Sequence, residues 1–357
     1  MRKNIARNQP QQFLCDWVSV SQLHAETVPQ RTKSVALIVE SETAQVIGEA
    51  PRGFSHEGSH DSRILVTSYG NRVSLSGNIG RLNRPDNVFG YNIDECKRRC
   101  NEVMDSLGLP RFHDGQRLSI PAKRDRAGIV MYNGARFSRV DLTRNFTTGS
   151  EKNASDMLYW LASQRILRTS TTAEDNTVYY GRKSQYQTIK VYGKANELRA
   201  HLGASKKAVD NELLLYRQHL QRWAASVGLL RVELSMKRKM LDQKGLKHWA
   251  TLNDTTATRE YDNGIEKMEK RMIINDELEN LKPNHRAIAN AYMRGENLKD
   301  YGWSTATFYR HRRAILPTGI DIKATLNVRA LSIQPRVIEL RSVEVPEFYN
   351  NVARFAA

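Results

Sequence analysis

Three segments far apart in the chain carry the same arrangement, and it constrains the fold more than anything else in the sequence. In "SRVDLT" the apolar Val140 and Leu142 alternate with Arg139, Asp141 and Thr143. In "TIKVYGK" Ile189 and Val191 alternate with Lys190, Tyr192 and Lys194, and in "RVELS" Val232 and Leu234 alternate with Arg231, Glu233 and Ser235. Side chains of a strand point to opposite faces in turn, so burying each apolar set sends the polar set to the other face of a sheet. If the three strands are neighbours, two carboxylates face a tyrosine and a lysine. An ordinary solvated face of an antiparallel sheet satisfies the same alternation.

The rest of the chain supports an α+β fold with antiparallel pairing. Phe13 to Val20 reads as a strand, and "RILVTSYGNRVSLSG" as a hairpin turning at Gly70-Asn71. Gly77 to Gly90 is a loop. Helices are expected from Ile93 to Leu107, over "NASDMLYWLASQRIL" with Ser155 or Asn153 as cap, and from Asn211 to Val227 before Gly228. "ARFSRVDLTRNF", "TVYYG", "YQTIKVYGK" and "LLRVELSMK" supply further strands. Past about residue 252 the pattern changes to polar helices. A boundary in Thr251 to Asn263 would divide a domain of residues 1–250 from a helical region of residues 251–357.

Lys and Arg number 55 against 38 acidic residues, a formal charge of +17 spread along the chain, so a polyanionic partner is the first expectation. Lys190, Arg231 and the run Lys237, Arg238, Lys239 are candidates for contact with a DNA backbone. Segment 286–316 has the outline of a helix-turn-helix. A helix reaches Gly295, a short turn follows, and Ser304 caps a second helix. Thr305, Thr307 and Arg310 would then face base edges, with Arg312 and Arg313 on phosphates. A basic surface helix packed through Phe308 and Ile315 fits the same residues.

Two carboxylates at close range repel unless a cation bridges them, and a hard ion, Mg²⁺ or Mn²⁺, suits Asp141 and Glu233. Beside it Tyr192 could attack a phosphodiester, with Lys194 stabilising the developing charge. A second cluster, His56, Glu57, His60 and Asp61, would suit a metal only on a helix, and Gly58 with its flanking serines points to a loop. Cys15, Cys96 and Cys100 form neither a disulfide framework nor a zinc signature and read as reduced thiols. No phosphate-binding loop, nucleophile elbow or zinc-protease motif occurs, so any unwinding energy must come from another protein. The N-terminus lacks a signal-peptide core and no run approaches the ~18 apolar residues of a membrane span, so a soluble, cytoplasmic protein is expected.

Five segments in order, "SLSGNIGRLNRPDNVFGYN", "FSRVDLTRNF", "VYYGRKSQYQTIKVYGKANEL", "LLRVELSMKRKML" and "VPEFYNN", resemble the replication initiators of filamentous bacteriophages, the gene II protein type, and more closely those of cholera-toxin-type phages. The resemblance implies a rolling-circle endonuclease distantly related to the HUH group. Such an enzyme nicks one strand of a double-stranded phage origin, stays attached through a 5′-phosphotyrosine, leaves a 3′-OH primer and later rejoins the displaced single strand. It places the family tyrosine at Tyr192. Host helicase and polymerase are the expected partners, with no membrane, and a homodimer is one assembly to expect. The His-hydrophobic-His strand of HUH enzymes is absent, so Asp141 and Glu233 are metal ligands by alternation alone. Tyr180 and Tyr186 are rival nucleophiles. A non-catalytic helix-turn-helix repressor or origin-marking protein, and a relaxase or transposase of the same chemistry, are the alternative functions.

Overall fold

Alternating apolar residues and turn-forming glycines lay out the strands of this chain, for which a computed structural model describes residues 13–60, 62–120, 129–164, 166, 171–174, 176–204, 211–272, 278, 281–323 and 340–349. Asp61, and Asn350 and Asn351 of the closing segment, lie outside the described residues. The chain gathers into two compact units. One comprises Gln12–Thr143, Ser235–Tyr261 and Val345–Ala357, the other Met1–Gln11, Arg144–Leu234 and Asp262–Glu344.

In the first unit the chain runs through β1 (Leu14–Leu23), β2 (Thr32–Val39), β3 (Val46–Glu57), β4 (Arg63–Tyr69), β5 (Arg72–Gly77), α1 (Ile93–Ser106), β6 (Arg117–Ile120), β7 (Ile129–Tyr132) and the start of β8 (Arg136–Thr147). The sheet order there is β2-β3-β4-β5-β1-β8, antiparallel throughout, and β6 and β7 pair separately. Gly70 takes φ +60 in the turn from β4 to β5, a conformation that costs a residue with a Cβ. α1 starts at Asn92, whose side chain accepts from the Glu95 amide, and buries Ile93, Cys96, Cys100, Val103 and Met104 on one stripe. All three cysteines are buried free thiols. Two of the segments that carry the family resemblance meet in this unit. The Tyr349 hydroxyl donates to Asp86 at 2.8 Å, and its ring lies edge-on to Phe89.

The second unit continues with α2 (Glu151–Ser163), β9 (Thr171–Glu174), β10 (Thr177–Tyr180), β11 (Gln187–Gly193), α3 (Lys194–Ala204), α4 (Asn211–Ser226) and β12 (Leu229–Lys237). The chain returns to the first unit for α5 (Arg238–Gln243) and the start of α6 (Asp254–Met272), and the second unit then carries α7 (Pro283–Met293), a 3-10 turn at Leu298–Tyr301, α8 (Thr305–Ile315) and β13 (Arg341–Ser342). Its strand order is β8-β12-β11-β10-β9, with β13 on the far end of β8. α2 buries Met157, Leu158 and Leu161 as their spacing predicts. Its cap is Ser150, which accepts from the Asn153 amide, rather than Ser155 or Asn153. α4 begins at Asn211, and beyond it Gly228 sits at φ +60, where a Cβ would lie 2.1 Å from the Ser150 carbonyl oxygen. No helix among the described residues is long and apolar enough to cross a membrane.

The sheet departs from the one-faced expectation where it matters most. Val140 to Thr143 of β8 and Leu229 to Leu234 of β12 are buried on both faces, polar residues included. A polar group enclosed in this way must find a partner or be lost from the fold.

Candidate active site

β11 and β12 bring the tyrosine and one of the two carboxylates together. Tyr192 and Lys190 stand two apart on β11 and share a face, and both meet Glu233 of the neighbouring β12. There the Tyr192 hydroxyl donates to Glu233 Oε1 at 2.7 Å. Lys190 Nζ lies 3.5 Å from Glu233 Oε2 and 4.0 Å from the centre of the Tyr192 ring. Tyr192 is 5% exposed and Glu233 9%, whereas the Lys190 side chain is 33% exposed and forms the open side of the group. A carboxylate bonded to a phenol is placed to take its proton, and a cation against both stabilises the phenolate that results.

Lys194 differs from its expected setting. It is not a strand residue on the polar face but the first residue of α3, fully enclosed, with its ammonium paired to Glu197 one turn on and 5.8 Å from the Tyr192 ring centre. Burial opposes a charge on Glu197, but the Lys194 charge, a hydrogen bond with His201 and the Arg231 charge outweigh it and hold this carboxyl well below the usual carboxylate range. Arg231 is also fully enclosed, its Nε donating to Asn145 Oδ1 at 2.9 Å, so it is an interior residue of β12 and not a surface contact. Nothing in the alternation signals Glu197 or Asn145. Their parts emerge only once α3 follows β11 without a loop and β8 borders β12.

Asp141 lies in the other unit. Arg139, two residues earlier on β8, holds both of its oxygens at 2.9 and 2.5 Å and stacks its guanidinium 5.1 Å from the Trp17 ring centre. Burial pushes the Asp141 carboxyl up, against the pull of Arg139. Lys237, the cap of α5, has its ammonium pushed down by burial and by the nearby Arg139 charge, while Arg238 and Lys239 are exposed. Among the described residues no three His, Cys, Asp or Glu side chains gather as a metal-ligand set. Asp141 and Glu233 are already balanced by protein cations, which a divalent ion would have to displace. His56 lies within β3, not in a loop, and His60 follows that strand at φ +56, so no helix sets the pair on one face.

The rival tyrosines stand in different settings. Tyr180 is fully buried and donates its hydroxyl to the Leu161 carbonyl at 2.6 Å, and burial pushes its phenol well above the ordinary value. Tyr186 is half-buried in the turn before β11. In the C-terminal part Ser304 caps α8 by accepting from the Thr307 amide. Thr305, Arg310 and Arg313 are exposed. Arg312 instead forms a two-bond ion pair with Asp321, at 2.6 and 2.7 Å.

Comparison with known proteins bears on the whole chain. The family described as the N-terminal part of the phage replication-associated protein, the gene II protein type, matches residues 14–255, and the family described as its C-terminal part matches residues 274–353. A replication-associated protein of this type from Enterobacteria phage I2-2 is 28% identical over 363 residues, covering 95% of this chain and 97% of that protein. One from Escherichia phage If1 is 25% identical over 223 residues, covering 59% of this chain and 68% of that protein.

Proposed function

Since the chain belongs to the gene II family of phage replication-associated proteins, we propose that it starts replication by cutting and rejoining one strand of a phage origin through Tyr192. The single observation that carries this reading is the hydrogen bond from the Tyr192 hydroxyl to Glu233, with Lys190 against both. A phenol ordinarily titrates near ~10, too high to act unaided at neutral pH, and Glu233 supplies the missing base.

Glu233 takes the phenolic proton as Tyr192 Oη bonds to phosphorus and the bond from phosphorus to O3′ breaks. The leaving oxygen takes up a proton and becomes a 3′-OH that a host polymerase can extend. Rejoining runs the same exchange backwards: a 3′ oxygen attacks, the bond from Oη to phosphorus breaks, and Tyr192 recovers its proton. One phosphodiester is exchanged for another at each stage, so no nucleotide triphosphate is consumed, consistent with a sequence that lacks a phosphate-binding loop. Lys190, on the open side, is the group that meets the phosphate and stabilises its added charge. Lys194 acts at one remove, holding Glu197 and the start of α3 behind the tyrosine.

A divalent cation, Mg²⁺ or Mn²⁺, belongs to the proposal as a Lewis acid that would polarise a phosphate oxygen. The acid–base steps at Tyr192 and Glu233 do not pass through it. α7, the 3-10 turn and α8 form the proposed origin-reading helix-turn-helix, with Thr305, Thr307 and Arg310 toward bases and Arg313 on phosphate. Arg312, held by Asp321, braces α8 instead. Host helicase and polymerase, a homodimer and a cytoplasmic setting complete the proposal.

The test is incubation with supercoiled origin plasmid and Mg²⁺ or Mn²⁺. Wild type is expected to give open circles carrying covalently attached protein, and Tyr192→Phe to lose both by ~10³-fold or more while binding the origin within about twofold. Full nicking by Tyr192→Phe would move the nucleophile to Tyr186 or Tyr180. Binding without any nick in wild type would leave an origin-marking protein.

A further inference from the structure

β1 ends between two strands whose register brings a pair of arginines beside it. Leu23 pairs with Arg72 of β5, and Ser21 pairs with Arg136 of β8. Directly paired residues share a face, as do residues two apart on a strand, so Arg72, Leu23, Ser21 and Arg136 stand on one face. They line a cleft of about 480 Å³ that Arg238 of α5 and Lys247 complete. Four cations from four segments thus face one carboxylate, Asp242, which Lys247 already neutralises.

The wall is a built structure. The Phe137 amide donates to the Lys247 carbonyl at 2.7 Å, the Trp249 amide donates to the Ala135 carbonyl at 2.9 Å, and the Phe137 and Trp249 rings stack at 5.2 Å. The positive field registers on a neighbour: burial, then the charges of Lys247 and Arg136, push the His248 imidazole below its ordinary value. Arg72, Arg136 and Arg238 are exposed at the rim, and among the described residues Arg72 and Arg136 have no ion pair. Like charges gathered in a concave wall repel one another and gain most from an anion of matching geometry, which for two guanidinium forks is a phosphate.

We propose that this cleft holds the sugar-phosphate backbone of a single DNA strand, a site made by residues none of which belongs to the Tyr192 cluster. It rests on the reading that the substrate is DNA. The cleft offers no exposed aromatic ring for a base, while Leu23, 54% exposed, gives an apolar surface of the kind a deoxyribose covers. Binding here is therefore independent of base sequence, and the cleft grips a strand that the origin-reading helices do not address.

The test is fluorescence anisotropy with a labelled single-stranded oligonucleotide unrelated to any origin, titrated across a salt series with the full chain. Wild type and Tyr192→Phe are expected to bind alike. The double variant Arg72→Gln/Arg136→Gln should bind ~10-fold more weakly, with a salt slope shallower by about 1.4, two phosphate contacts at ~0.7 each. Arg72→Lys/Arg136→Lys should recover the slope, because it keeps the charges. Unchanged affinity and slope in the Gln variant, or a Lys variant as defective as it, would overturn the proposal. Absence of a covalent adduct when wild type meets the origin plasmid, alongside the shallower slope here, would remove the nucleophile and leave the cleft standing.

Discussion

Asp141 and Glu233 hold the same place in the same pattern, each a polar residue between two buried aliphatic ones, yet their surroundings differ in kind. Asp141 is closed on itself, with both oxygens in the fork of an arginine from its own strand. Glu233 accepts a proton-bearing oxygen from another strand and has a half-open lysine at its second oxygen. The first is an ion pair within one strand, and the second is a hydrogen-bonded phenol and carboxylate, the pair proposed as nucleophile and base. Alternation assigns a face, and the partner across the strand assigns the chemistry.

The sharpest way to break that contrast is to neutralise each acid without changing its shape. Glu233→Gln is expected to lower the initial rate of nicking by ~10²–10⁴-fold, the range for loss of a general base. Asp141→Asn is expected to lower it by ~10-fold or less. Both are read from the conversion of supercoiled plasmid to open circle across a Mg²⁺ and Mn²⁺ titration. Equal losses, with a matching rise in the metal concentration required, would make the two carboxylates ligands of one ion and erase the distinction.

Much of the scaffold of this contrast is legible in the sequence. β12 begins at Leu229 and α4 at Asn211 as read, and the hairpin turns at Gly70, because those elements have a buried face or a glycine stop to mark them. β2 and β3 escape the reading because most of their residues are exposed. Leu37, Ile38 and Val39 stand outside in succession, so no alternation registers, and Gly48, Pro51 and Gly53 interrupt β3. α3 escapes it because the chain turns from strand to helix at Lys194 with no loop between, which also hides Glu197 as that lysine's partner. Tyr192, Glu233 and Lys190 are legible as one face. Their hydrogen bond is not, since alternation is blind to which strands are neighbours. The cleft arginines, Arg72 and Arg136, stand at strand ends, where register rather than pattern decides what they meet.

Stability offers a second, smaller separation between the regions. Glu197→Gln leaves the enclosed Lys194 ammonium without its carboxylate, and removing one member of a buried pair costs about 3 kcal/mol. Arg139→Gln leaves the enclosed Asp141 without its arginine, but that arginine is 45% exposed and water replaces part of what is lost, so the cost is expected at about 1–2 kcal/mol. Urea midpoints at neutral pH measure both. Equal costs would mean that water reaches Lys194 as readily as it reaches Arg139.

The smallest effect lies in the acid limb, where the two regions carry opposite signs. The folded Glu197 carboxyl is held below its unfolded value of ~4.3, so its contribution is complete above that pH and is lost as the pH falls toward the folded value. The folded Asp141 carboxyl is raised above its unfolded ~3.9, so the native state binds the proton first, and stability is gained as the pH falls through that window. Glu197→Gln should therefore flatten the loss of stability on acidification, and Asp141→Asn should steepen it. Urea midpoints between about pH 3 and 7 resolve the two slopes. A change of the same sign in both variants would mean that Arg139 holds Asp141 as firmly ionised as Lys194 holds Glu197, and that the two carboxylates differ in partner but not in charge state.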